Sequence, residues 1–105
     1  MKEITPRELH ARIAQGNAPF LVDVREAHER EIASLGGLHI PLAQLAERHT
    51  EIPKDVEVVI YCRSGGRSGR ACEGLAKSFG FTNLVNLVGG TLRWSDDVDP
   101  AMEKY

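Results

Sequence analysis

Short apolar runs alternate along this chain with stretches in which apolar side chains recur every three or four positions. That is the pattern of buried strands alternating with amphipathic helices. Phe20-Leu21-Val22, bounded by Pro19 and by the charged Asp23-Val24-Arg25-Glu26, reads as a buried strand. Leu38-His39-Ile40-Pro41-Leu42 reads as a short strand passing into a helix from Leu42 to Arg48, with Leu42 and Leu45 inward. Ile52-Pro53-Lys54-Asp55 has turn composition and delivers the chain to the strand Val56-Glu57-Val58-Val59-Ile60-Tyr61, and Asn83 to Val88 supplies a last short strand.

Between these runs the helical signals are local. Thr5, Pro6 and Glu8 form a capped helix start, Leu9 and Ile13 share a face, and Gly16-Asn17 is the stop. Ala27 to Ile32 predicts a short solvated helix, broken by Gly36-Gly37. Ser68, Ala71, Cys72, Leu75, Ala76 and Phe79 make a core-facing stripe on a longer helix that Gly80 ends. Beyond Gly89-Gly90, Thr91-Leu92-Arg93-Trp94 opens a terminal helix with Trp94 as a core anchor, and residues 95–105 form a polar tail, broken by Pro100, that wraps the surface. This alternation predicts an α/β fold, a mainly parallel sheet covered by helices on both faces.

Composition narrows the picture. A chain of 105 residues, 42% hydrophobic, fits one domain over 1–105 with a single modest core from about residue 4 to 94. A charged fraction of 27% and a formal net charge of -2 give no reason to expect nucleic acid or a membrane surface as partner. Neither a signal peptide nor a membrane-length apolar run is visible, so a cytoplasmic location is expected. Two cysteines are too few for a disulfide framework and follow no common zinc spacing, so no metal is expected.

The chemistry concentrates in Cys62-Arg63-Ser64-Gly65-Gly66-Arg67-Ser68, where a strand ends and a helix begins. The glycines and small hydroxyl residues let the loop curl with its N–H groups inward, joining the free donors of the helix N-terminus. Such a nest favours an anion and lowers the pKa of a thiol at its centre. Arg63, Arg67 and Arg70 add positive charge. Cys72, by its place in the apolar stripe, is a core residue rather than a resolving partner. Asp23 and Arg25 lie at the ligand-binding edge of the sheet, where charged hydrogen bonds to neighbouring loops are their expected work. None of His10, His28, His39 or His49 is paired with the cysteine by the sequence, and all four read as structural or surface residues. No dinucleotide or Walker pattern and no serine elbow occurs, so Ser64 and Ser68 are not hydrolase nucleophiles.

Taken together and in order, Asp23-Val24-Arg25-Glu26, His39-Ile40-Pro41, the strand running into Cys62 to Ser68, and Asn86-Leu87-Val88-Gly89-Gly90 followed by Trp94 resemble a single-domain rhodanese, over about Ile4 to Trp94. The likeness is strongest to rhodanese modules fused to adenylyltransferases of molybdopterin and thiamine biosynthesis. It implies about five parallel strands flanked by helices, a persulfide on Cys62 cradled by the N–H groups from Arg63 to Ser68, and an anionic donor held by Arg63 and Arg67. Asp23 and Arg25 would support the site, and Gly89 and Gly90 would shape its far wall. Gly36-Gly37 departs from the Pro-Gly common in the family, which touches a turn only. The implied activity is sulfur transfer from thiosulfate, or another small anionic donor, to cyanide or a cellular thiol, with no cofactor; preference for thiosulfate over mercaptopyruvate rests on the arginine-rich loop. A sulfur-carrier protein as acceptor is the alternative. Related phosphatases and arsenate reductases share the thiolate cradle, but phosphatases of this fold place five residues between cysteine and arginine, and this chain has four, Arg63 to Gly66.

Overall fold

The computed structural model describes residues 1 to 105. Five strands form one sheet: β1 (Lys2–Ile4), β2 (Phe20–Asp23), β3 (Leu38–His39), β4 (Val58–Tyr61) and β5 (Leu84–Leu87), in the spatial order β1-β5-β4-β2-β3. Every pairing is parallel. The helices are α1 (Pro6–Ala14), α2 (Ala27–Ile32), α3 (Leu45–Arg48), α4 (Gly66–Phe79) and α5 (Gly90–Asp97), with single 3-10 turns at Leu42–Gln44 and His49–Glu51.

Strand β4 lies in the middle, between β2 and β5, and its four residues are fully buried. Because successive strand side chains point to opposite faces, β4 feeds both layers of the core. Val58, Ile60 and Cys62 join Val22, Val24, Ile40, Leu45 and the α4 residues Ala71, Cys72 and Leu75. Val59 and Tyr61 join Ile4, Leu9, Val85, Leu87 and Trp94, under α1 and α5. Each such side chain contributes about 1.5–3 kcal/mol on burial, so the central strand is firmly fixed. Its C-terminal end is therefore a rigid platform.

Local signals place the helix boundaries. The Thr5 side chain accepts from Glu8 N–H at 3.2 Å while Glu8 accepts from Thr5 N–H at 2.9 Å, a reciprocal cap that starts α1 at Pro6. Gly80, at φ 71°, ends α4 in the left-handed region.

Several expectations are corrected. Strand β1 has no sequence signal: only Ile4 of its three residues is buried, and it exists because Lys2, Glu3 and Ile4 pair with Val85, Asn86 and Leu87. The strand expected from Val56 begins at Val58, where pairing to Phe20 and Leu84 begins, and Val56 is exposed. Ile13 and Ala76 face water rather than the core. The expected tail from residue 95 begins inside α5: Ser95 is buried and donates to Met102 O at 2.7 Å, and Val98 and Met102 pack on the Trp94 layer.

Cys72 sits in the core, as its spacing predicts, and burial, reinforced by the negative charges of Glu73 and Cys62, pushes its thiol up to about 11. Replacing it with Ala is expected to leave the fold intact and to cost about 1 kcal/mol in urea denaturation, through lost packing.

Candidate active site

The alternation that builds the core also builds the site. Ile60 is paired with Asn86, and both belong to the α4 side of the sheet. Two residues beyond Ile60, Cys62 emerges on that same side, where α4 starts. The turn between them is made by Gly65, at φ 99°, and α4 begins at Gly66. Here the left-handed conformation is required, and a Cβ on Gly65 would also meet Gly89 N at 3.2 Å.

Three donors converge on the sulfur. Gly65 N–H reaches Cys62 Sγ at 3.1 Å, Ser68 N–H at 3.4 Å, and the Ser68 hydroxyl stands at 3.4 Å. Burial raises the thiol's pKa, but the bonds from the Ser68 hydroxyl and from the N–H groups of Ser68, Gly65 and Ser64 outweigh it and bring the thiol below its usual range. The Ser68 hydroxyl also lies 2.5 Å from Asn86 Oδ1 and 3.2 Å from Gly65 O, and it has one proton to give. With a thiol at Cys62 that proton bonds Asn86; with a thiolate it can turn to the sulfur.

The second glycine pair fixes the opposite wall. Gly89 and Gly90 have φ of 76° and 59°, and a Cβ on Gly90 would stand 2.3 Å from Cys62 O. That closeness lets the first amides of α5 bind the loop: Thr91 N–H donates to Cys62 O at 2.9 Å and Leu92 N–H to Arg63 O at 3.0 Å. Cys62 itself, in the core layer under α4, is fully buried, although Arg63, Ser64 and Gly66 around it are exposed. The rim of the loop faces solvent, and its sulfur does not.

The arginines separate into distinct roles. Arg67 donates to both carboxylate oxygens of Glu29, at 2.6 and 2.7 Å. Those bonds lead the causes that hold the Glu29 carboxyl down at about 2, against the cost of its burial. Arg63 remains exposed with no carboxylate partner. Arg70 is exposed one turn into α4, beside Leu42 and Leu45, and makes no hydrogen bond to the loop. Asp23 and Arg25 form a fully buried bidentate pair, with Nε and Nη2 each 2.9 Å from a carboxylate oxygen. From there Arg25 donates to Glu29 O and Ala33 O, which ties α2 to the end of β2.

Glu29 and Asn86 were not singled out as site residues, and α2 is not the wholly solvated helix expected. Glu29 follows Arg25 by four residues, and Asn86 is a polar residue inside an apolar strand; those are the signals each carries. His39 Nε2 lies 2.7 Å from Arg25 O, whereas His10, His28 and His49 pack on Trp94, Tyr105 and Phe79. No three His, Cys, Asp or Glu side chains converge in the molecule. The largest cavity, about 610 Å³, is lined by Met1, Cys72 and Phe81 among others and does not include Cys62. The sulfur's immediate surroundings are the N–H groups of Gly65 and Ser68 and the Ser68 hydroxyl.

Two measurements check this geometry. In a pH titration of alkylation, Ser68→Ala should shift the apparent pKa of Cys62 upward, having removed a donor to the thiolate. Since the Glu29 pKa is lower folded than unfolded, its stabilisation is complete above the ordinary carboxylate range and disappears as pH falls toward about 2. Glu29→Gln should therefore be less stable by roughly 1–3 kcal/mol at neutral pH, with a difference from wild type that shrinks in acid.

The chain's relatives agree with the geometry. A family model described as "Rhodanese-like domain" matches residues 5–97. The chain is 38% identical over 96 residues to a "Sulfurtransferase" of Allochromatium vinosum, covering 90% of this chain and 89% of that protein. It is 40% identical over 99 residues to the uncharacterized protein YqhL of Bacillus subtilis, covering 93% and 75%. Its likeness to fused modules is seen in the probable adenylyltransferase/sulfurtransferase MoeZ of Mycobacterium tuberculosis, 34% identical over 105 residues; the match takes in 97% of this chain but only 26% of that protein. The crystal structure of a rhodanese-related protein from Thermoplasma volcanium superposes with a TM-score of 0.84 at 28% identity, covering 98% of this chain and all of that one. With its parallel five-stranded sheet, its helices on both faces and a family match over nearly its whole length, this chain belongs to the rhodanese-like domain family.

Proposed function

We propose that this protein is a thiosulfate sulfurtransferase with Cys62 as its nucleophile. The observation that carries the reading is the convergence of the Gly65 and Ser68 N–H groups and the Ser68 hydroxyl on one buried sulfur. These donors favour the thiolate, which is the reactive form. The Cys62 thiolate attacks the outer sulfur of thiosulfate; the new S–S bond forms as the bond to the sulfonate breaks, and sulfite leaves with the electron pair. Charge is conserved, since a thiolate and a dianion become a persulfide anion and a departing dianion.

The outer sulfur of the persulfide is then taken by a nucleophile, cyanide in the test tube or a thiol in the cell, and the Cys62 thiolate is regenerated. Both half-reactions bring negative charge to a sulfur that is already anionic. Fixed N–H dipoles supply the compensation without reorganising. Of the two arginines within the Cys62 to Ser68 loop, Arg63 is the one whose guanidinium is free of carboxylate and available to the donor, because Glu29 occupies both arms of Arg67. That occupancy also weighs against phosphoryl transfer, as does the spacing of four residues between Cys62 and Arg67.

The fused relatives support a second reading of the acceptor. MoeZ joins a module like this one to an adenylyltransferase, by its name, so a sulfur-carrier protein is a natural alternative to a small thiol.

Intact-mass measurement of the reduced protein with and without thiosulfate tests the proposal. A gain of one sulfur atom in wild type and none in Cys62→Ser or Cys62→Ala is expected, with the sulfur lost again on adding cyanide. Sulfur on a folded Cys62 variant, or none on the wild type, would overturn the assignment of nucleophile or of donor.

A further inference from the structure

The last residues of the chain return to the rim of the Cys62 loop. Tyr105 places its ring against the Arg63 guanidinium, whose carbon is 4.8 Å from the ring centroid. The same ring meets His28 edge-on at 6.0 Å. Its main-chain oxygen accepts from Arg25 Nη1 at 2.7 Å. Behind it the segment is anchored by the Ser95 bond to Met102 O, by Met102 in the Trp94 layer and by a Lys104–Asp96 ion pair at 2.5 Å. The position of Tyr105 is therefore held from both sides.

The two arginines of the loop are restrained in chemically different ways. Arg67 faces a carboxylate, so its charge is neutralised and both of its arms are filled. Arg63 faces a ring, which attracts the cation through its quadrupole but offers no oxygen acceptor to the guanidinium donors. An aromatic face therefore orders Arg63 while leaving its charge and its N–H groups free for an incoming anion. The Arg63 main chain is already fixed by Leu92 N–H, so ordering its side chain fixes the guanidinium itself.

We propose that Tyr105 is a positioning residue for Arg63, and that the pair makes Cys62 selective for anionic over neutral reagents. The proposal rests on Cys62 being the reactive sulfur, but not on the identity of the sulfur donor. The two can be tested apart by comparing rates of Cys62 alkylation by iodoacetate, which is anionic, and by iodoacetamide, which is neutral. Both attack the same thiolate, so their ratio cancels changes in its pKa or exposure.

The expected result is that Tyr105→Ala lowers the iodoacetate-to-iodoacetamide ratio roughly threefold to tenfold, and that Tyr105→Phe, which keeps the ring face, retains it. Arg63→Gln should lower the ratio as far, and the double variant no further, as for two residues acting through one interaction. A wild-type ratio in Tyr105→Ala, a Tyr105→Phe variant as impaired as Tyr105→Ala, or additive losses in the double variant would each overturn the proposal. Failure of the wild type to take sulfur from thiosulfate would refute the donor and leave this measurement unaffected.

Discussion

A guanidinium removed from water must have its charge matched and its donors filled, and Arg25 meets both demands. Its Nε and one arm of Nη2 are taken by Asp23, the other arm by Ala33 O, and Nη1 by Glu29 O and Tyr105 O. Those carbonyls belong to the middle of α2, to its C-cap and to Tyr105. One buried side chain thus ties the end of β2 to the helix that carries Glu29 and to the segment that carries Tyr105. Breaking such a pair from one side would leave an uncompensated charge in the interior, the costliest form of polar burial. The arrangement around the loop depends on this constraint.

Glu29 and Tyr105 then act on the loop's arginines with opposite electrostatic effect. Glu29 cancels the charge of Arg67 and in return fixes it against α2, so that Arg67 braces the first turn of α4. Tyr105 meets Arg63 with a ring face and leaves its charge in place. Near the sulfur the balance is finer. Burial disfavours the thiolate, and the hydrogen bonds from the Ser68 hydroxyl and from the N–H groups of Ser68, Gly65 and Ser64 restore it.

Much of this was legible in the chain itself. The strand from Phe20 to Val22, the strand that ends at Tyr61, the cap at Thr5, the α4 stripe with Cys72 in the core and the glycine-rich turn after Cys62 all follow from local composition and spacing. A strand's alternation and a helix's periodicity are properties of neighbours in sequence, so they can be read without knowing what packs against them. The donors around the sulfur are legible for the same reason: the N–H groups of Gly65 and Ser68 and the Ser68 hydroxyl lie within six residues of Cys62.

What only the tertiary structure decided is which groups meet across long separations. Strand β1 exists because β5 offers it an edge, Asn86 reaches Ser68 because parallel pairing brings β5 beside β4, and Cys62 is buried because its side chain joins the core layer under α4. Glu29 reads as a surface residue in the sequence because nothing near it reveals Arg67, thirty-eight residues away, as its partner. The sequence determined the thiol, its donors and the layers that hold them, because those are local or periodic. The protonation balance, the pairing of each arginine and the depth of the sulfur were decided by the fold, because electrostatics and burial depend on distance in space rather than along the chain.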